Sequence, residues 1–307
     1  MAKYFYNISK SRKGTSVVFF AVILTLISGF AALTIDIGSL VWQKNRLASA
    51  IDSAALAGAQ ELITNSGYAN SVINTYIQKN IGTLKETNIT VDNSNRTIQI
   101  KGAKSIETYF ARVLGIKTME IKSSAKAKVE NISSLKGARP LAVIQQTFIY
   151  GNIYTLKEGA GDGTSGNYAA IALGGTGGSI YRDNLLNGFN STISVGNQIQ
   201  TETGNISGTT ETCINQLVNG CIHTPRCTYQ YYNKNCSRII FLPIVNTLDV
   251  SGRKYVKVLG FGTFFLEGVT NQGGQADVTG RFITYSMQGE TSSAVNDYGT
   301  YGIRLVE

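Results

Sequence analysis

Thr15 to Ile35 reads TSVVFFAVILTLISGFAALTI, 21 residues without a single charge. An α-helix needs about 20 apolar residues to cross the hydrocarbon core of a bilayer. The core helix of a soluble protein is seldom uncharged for so long. The apolar region of a signal peptide usually runs roughly 7–15 residues. The small residues around Gly29-Phe30-Ala31 keep a cleaved signal peptide as the rival reading, and we read an uncleaved anchor. Lys3, Lys10, Arg12 and Lys13 precede the run, while Lys44 and Arg46 follow more distantly. The excess of positive charge before the run puts the N-terminus in the cytoplasm and residues 36–307 outside.

Charge is unevenly placed along the 307 residues. The net +9 divides into +4 over residues 1–13, −1 over 14–42, +6 over 43–137 and zero over 138–307. Basic residues beside an apolar run are first a membrane-orientation signal. No basic stripe interleaved with aromatics accompanies them, so no nucleic-acid partner is expected. Charged residues are only 15%, with 33 Gly and 16 Tyr, which suits an extracellular β-rich chain better than a cytosolic enzyme. The 43% apolar content argues against disorder. Three prolines, and glycines without a period of three, exclude collagen.

The helix does not stop at the end of the anchor. Residues 36–62 contain no Pro, and Leu47, Ile51, Ala54, Ala55, Gly58 and Leu62 fall on one stripe. Ala50, Ala54 and Gly58 make a ladder of small residues that allows close helix approach, either within the chain or to a partner helix. The strings Phe30-Ala31-Ala32-Leu33-Thr34-Ile35-Asp36-Ile37-Gly38 and Arg46 to Ala59 (RLASAIDSAALAGA) resemble the N-terminal segment of TadG-like proteins of the tight-adherence (Flp) pilus machinery. Over about 50 residues the pattern is shared, with Ala48 where that family often has Gln. The resemblance implies a membrane-anchored, pilin-like or pilus-assembly protein. Its helix would pack through Ala50, Ala54, Gly58, Asp36 and Asp52 against other Tad pilus proteins. Two features depart from the family. Phe19 stands where prepilins carry Glu after the cleavage-site Gly, here Gly14. No Asp-x-Ser-x-Ser metal motif occurs, since residues 92–96 and 249–253 both end in Arg.

Residues 67–137 read as a small α+β domain. Asn88–Val91 and Thr97–Ile100 alternate on either side of turn residues Asp92–Asn95. A helix is expected from Ser105, with Tyr109, Phe110, Val113 and Leu114 as its apolar face and Gly115 as its stop. Lys117 to Val129 alternates again, with Met119, Ile121, Ala125, Ala127 and Val129 on one side. Lys122, Lys126 and Lys128 face outward, as a solvated strand face that discourages edge pairing or as a contact for anionic lipid or wall polymer.

Leu135–Pro140 reads as a linker. Residues 138–307 hold 24 of the 33 Gly, with short alternating runs between turns. This predicts an all-β domain, a sandwich or jelly-roll-like fold, with Thr212–Val218 as one short helix. Gly174–Ser179 is not a P-loop, because no Lys-Ser/Thr follows. Glu158–Gly163 hints at calcium but lacks the alternating acids and distal Glu of an EF-hand. Cys213, Cys221, Cys227 and Cys236 are spaced by seven, five and eight residues, without the paired spacing of zinc sites. Outside the membrane, two disulfides are the expected use, in one of three pairings, each adding roughly 2–4 kcal/mol. They would staple a loop carrying Tyr229, Tyr231 and Tyr232, which either pack over the bridges or form an adhesive surface.

One His and no Gly-x-Ser-x-Gly leave no catalytic constellation. The expectation is therefore an α+β protein of five parts: cytoplasmic residues 1–14, a transmembrane helix 15–35, a stem helix 36–66, the small domain 67–137 and an extracytoplasmic β-rich domain 138–307. It takes no cofactor and no metal. Its expected partners are the lipid bilayer and other Tad pilus proteins. The alternative is a surface adhesin that binds a host or cell-wall ligand through the β domain, and an anchored wall-polymer hydrolase is a more distant third.

Overall fold

The computed structural model describes residues 13–156, 168–202, 206–248, 252–272 and 274–306. Helix α1 (Lys13–Thr64) runs unbroken for 52 residues, about 78 Å at 1.5 Å per residue. Its first half stands alone. Val17, Phe20, Leu24, Ile27 and Phe30 are each more than half exposed, and none of its most apolar stretch is covered by other described residues. Burial begins at Asp36 and continues at Leu47, Ala50, Ile51, Ala54, Ala55 and Ala59. A turn in which the Asn65 side chain accepts the Gly67 N–H leads into α2 (Ala69–Ile81). Ala69, Ile73, Ile77 and Ile81, four residues apart, form its buried face.

Both helices lie on a mixed sheet. Strands β1 (Glu86–Asp92) and β2 (Thr97–Glu107) form a hairpin. Its turn is held by the Asp92 carboxylate, which accepts from the Asn95 backbone and side-chain amides at 3.0 and 2.7 Å. Strand β3 (Thr118–Lys136) pairs with β2 along its first half. Ile98, Ile100, Ile121, Ala125, Ala127 and Val129 point at the helices. Alanines on both sides of this interface bring helix and sheet close. A side-chain carbon at Gly102 would meet Ile51 at 2.8 Å. The helix expected from Ser105 is not there. Ser105, Ile106 and Glu107 pair with Glu120, Met119 and Thr118 instead. Only a single 3-10 turn, Ala111–Leu114, follows. The apolar residues assigned to that helix find no core to pack on.

The C-terminal part is rich in β-structure, as expected. Strands β4 (Leu141–Ile144), β5 (Ile153–Leu156) and β6 (Tyr168–Ala170) come first. Helix α3 (Gly178–Asn187), β7 (Thr192–Ser194), β8 (Gln198–Gln200) and α4 (Ser207–Asn219) follow. Then come β9 (Ile239–Val245), β10 (Tyr255–Gln272), β11 (Gln275–Ile283), β12 (Tyr285–Ser286), β13 (Glu290–Ser292) and β14 (Thr300–Leu305). A second sheet runs β5-β11-β10-β9-β4-β6, with β8 also on β10. The short helix expected at Thr212–Val218 is the second half of α4, while the all-β expectation has no place for α3. Tyr181, Leu185, Ile214 and Leu217 of the two helices cover one face against Leu242, Phe264, Val278 and Phe282. Helix α3 escaped notice because it opens on glycines and has few apolar residues. Its fixings are tertiary: the Asn184 amide donates to the Leu173 carbonyl at 2.7 Å, and Tyr181 and Thr210 share a hydroxyl contact at 2.8 Å.

Leu135–Pro140 is packed chain rather than a linker. Leu135 and Ala138 are buried, and the Arg139 N–H bonds the Phe241 carbonyl at 2.8 Å. Ile132 and Leu135 of β3 share a core with Ala142, Val245 and Phe261 of the second sheet. The first sheet, in turn, takes strands from the far end of the chain, because β14, β13 and β7 all pair with β3. Glu130 of β3 ties β14 and β13 to it. Its carboxylate meets Arg304 and Lys128 at 2.8 Å each and accepts the Thr291 hydroxyl at 3.0 Å.

The Arg304 hydrogen bond leads the contacts that hold the nearly buried Glu130 carboxyl down at about 2 from its ordinary 4.5. A depressed folded value contributes stability that is complete above the unfolded value and is lost as pH falls towards 2. Glu130→Gln should lower unfolding free energy near neutral pH by roughly 2 kcal/mol, allowing for screening around exposed Arg304. The gap between variant and parent should shrink between about pH 4.5 and pH 2 in denaturant unfolding of the detergent-solubilised chain. A gap that persists undiminished at pH 2 refutes the ion-pair assignment.

Candidate functional site

Asp36 is the first charge after the uncharged run, and helix α1 carries it to the point where burial starts. Its carboxylate receives three backbone N–H groups, from Tyr109 at 2.8 Å, Phe110 at 3.0 Å and Ala111 at 2.6 Å. These donors open the 3-10 turn Ala111–Leu114 and would otherwise lack partners. Burial pushes the Asp36 carboxyl up, but the Ala111, Tyr109 and Phe110 N–H groups outweigh it and leave it below the usual carboxylate range.

The bond fixes a loop beside the exit of the apolar run. Val113 and Leu114 at its tip are 87% and 82% exposed, and Tyr109, Phe110 and Ile116 are exposed with them. On α1 the neighbouring Ile37, Val41 and Trp42 are also exposed. Arg46 lies over the Trp42 ring at 5.1 Å and donates to the Asn80 carbonyl at 3.1 Å. Aromatic and apolar side chains with arginine just beyond them form a collar of the composition found at membrane–water boundaries. The apolar spacing of Tyr109 to Ile116 suits a helix, but with no core to cover it the segment forms a loop around one 3-10 turn.

The ladder residues lie inside the chain. Ala50 and Ala54 are buried, and a side-chain carbon on Gly58 would meet Ile73 at 2.5 Å and Ile98 at 3.1 Å. Asp52 is half-buried on the same helix. Ala50, Ala54 and Gly58 thus serve the contact of α1 with α2 and the first sheet.

The four cysteines divide. Cys213 on α4 is buried in the core on the helix-covered face of the second sheet. Cys227 and Cys236 pack against Ile239, Phe265 and Ile283 on the opposite face, with Cys221 alongside. The sulfurs of Cys221, Cys227 and Cys236 and a ring nitrogen of His223, the chain's one histidine, lie within 4.8 Å of one another. No disulfide joins any two of the four in this structure. The two expected bridges would need Cys213 as a partner, whereas the structure places Cys213 in a different core and gathers the other three around an imidazole. Burial pushes the Cys236 thiol up to about 12. Burial also raises Cys221, but the Cys227 N–H and the His223 ring outweigh it and bring that thiol to about 6. The sequence signal was the lone His between the first two clustered cysteines.

Of the three tyrosines, Tyr231 is 82% exposed. Tyr229 is half-buried beneath the Arg281 guanidinium at 4.3 Å. Tyr232 stacks on Tyr285 and donates to the Thr284 carbonyl at 3.2 Å. Glu158–Gly163 lies outside the described residues.

Against known families, residues 14–61 match the family described as Putative Flp pilus-assembly TadE/G-like. The match spans nearly all of α1 and nothing beyond it. No curated protein and no solved structure shows significant similarity to the chain.

Two substitutions test this region. Asp36→Ala should abolish hydrogen-exchange protection at the Tyr109, Phe110 and Ala111 amides and speed tryptic cleavage after exposed Arg112. Unchanged exchange at those amides would remove Asp36 as the clamp. Gly58→Leu should overpack the α1–α2 contact and cost about 1–3 kcal/mol in denaturant unfolding. An unaltered midpoint would mean that Gly58 does not set the spacing of the two helices.

Proposed function

We propose that the protein is a single-pass membrane component of a Tad (Flp) type pilus or secretion system, acting as a minor pilin or assembly factor without catalysis. The observation that carries the reading is a coincidence on one helix. The TadE/G-like segment falls where α1 is exposed and apolar up to Ile35 and core-packed from Asp36 onward. Residues 15–35 then cross the bilayer. The basic cluster before them favours a cytoplasmic N-terminus, with residues 36–307 outside. The collar of Val113, Leu114, Tyr109 and Trp42 would rest in the outer headgroup layer. Contacts to other pilus proteins would use the bare apolar flank of α1, since its small-residue ladder is occupied by the chain's own α2 and sheet.

A second reading, a surface adhesin, is favoured by one feature: Ile222 and Tyr231 stand 89% and 82% exposed on the cysteine-bearing loop. That loop would then meet a host or cell-wall ligand.

The test is to tag the C-terminus, shear the cells, and blot the released fibres and the membranes. A minor pilin appears in the fibres. An assembly factor stays with the membrane and fibres fail to form when it is deleted. Normal fibres in a deletion strain, with the protein confined to membranes, would refute the pilus reading and leave the adhesin.

A further inference from the structure

We infer that Cys221, His223, Cys227 and Cys236 form a tetrahedral zinc site that holds together the segment between α4 and β9. Four ligand atoms within 4.8 Å of one another are already close to the required geometry. Zinc–sulfur bonds of about 2.3 Å place tetrahedral ligands roughly 3.8 Å apart. Cys221 Sγ and His223 Nδ1 stand at 3.8 Å. Three cysteines and one histidine are a common structural donor set, and a closed set of four leaves no position for a substrate.

The surrounding chain argues the same way. Residues 220–238 contain no helix or strand, and ordered loops of that length are uncommon without some internal fastening. This loop has little core of its own. Its buried side chains are Cys227, Cys236 and Arg238. The backbone is nonetheless folded tightly around the thiols. The Asn233 N–H points at Cys227 Sγ at 3.4 Å, and the Cys236 N–H bonds the Asn233 carbonyl at 3.0 Å. N–H groups directed at sulfur orient and stabilise thiolate ligands. Charge also balances locally. Three thiolates and a neutral imidazole around a divalent ion leave one negative charge. Arg238, buried beside them, donates to the Cys227 carbonyl at 2.8 Å and stacks on Phe265 at 4.4 Å.

A disulfide cannot use this set fully, because any pair leaves a third thiol and the histidine without a role. Metal binding uses all four groups at once and releases the thiol protons. The zinc would fasten the start of the loop to its end, three residues before β9, and hold Ile222 and Tyr231 outward. The inference does not depend on the pilus reading.

The full chain, purified in detergent without chelators, should carry about one zinc by elemental analysis. Exchange for cobalt should give the strong visible absorption of a tetrahedral thiolate site. Cys236→Ser and His223→Ala should lose the ion, whereas Cys213→Ser should keep it. If Cys236→Ser does not fold, His223→Cys serves in its place: it retains the metal and strengthens the thiolate-to-cobalt absorption. Absence of both zinc and cobalt absorption overturns the proposal, as does an intact mass lowered by two hydrogens through a disulfide within the cluster. Zinc that persists in Cys236→Ser and His223→Ala overturns it equally.

Discussion

One carboxylate marks where a single continuous helix changes surroundings. Before Asp36, α1 offers apolar side chains in every direction, and none of the described residues covers them. After Asp36, one stripe is buried, and beyond the exposed Ile37, Val41 and Trp42 the outer face turns polar. A charge at this boundary needs partners, because an unpaired buried carboxylate is costly. The three N–H groups of Tyr109, Phe110 and Ala111 supply them. The bond joins residues more than seventy positions apart and fixes the 3-10 turn to the helix at the first buried position, ahead of the core that Leu47 to Ala59 form with the sheet.

The second constraint is strand β3, which serves both sheets' packing. Its first half carries Ile121, Ala125 and Ala127 against the stem helices, and its second half carries Ile132 and Leu135 against the other sheet. The last strand of the chain closes on it through Arg304 and Glu130. Force applied along the stem would therefore pass into the C-terminal part through a shared core rather than through a flexible joint. The cysteine-bearing loop lies on the face of the second sheet away from α3 and α4, beside Phe265 and Tyr285.

Much of the local structure was legible. The hairpin turn at Asp92, the alternation of β3 and the helical stripe from Leu47 to Leu62 all follow from short-range pattern. Failures came where a local pattern had a distant competitor. Ser105–Glu107 looked helical until β3 offered a ladder of hydrogen bonds. Gly178–Asn187 has few apolar residues to mark it as a helix, and Leu173 and Thr210 anchor its Asn184 and Tyr181 side chains. The cysteines were judged by spacing, but spacing matters less when an irregular loop can fold back on itself. That fold-back brings Cys236 to Cys221 and leaves Cys213 elsewhere.

By itself the sequence determined what depends on neighbours along the chain: an uncharged run long enough for a bilayer, a small-residue helix stripe, and a TadE/G-like signature across them. Those properties live in composition and period, which any reader of the chain can measure. Tertiary structure alone decided what the polar and reactive groups do. It gave Asp36 its amides, directed Gly58 inward, and gathered His223 among three thiols. Each of these depends on atoms brought within a few ångströms by residues remote in sequence, and no short-range pattern encodes that approach.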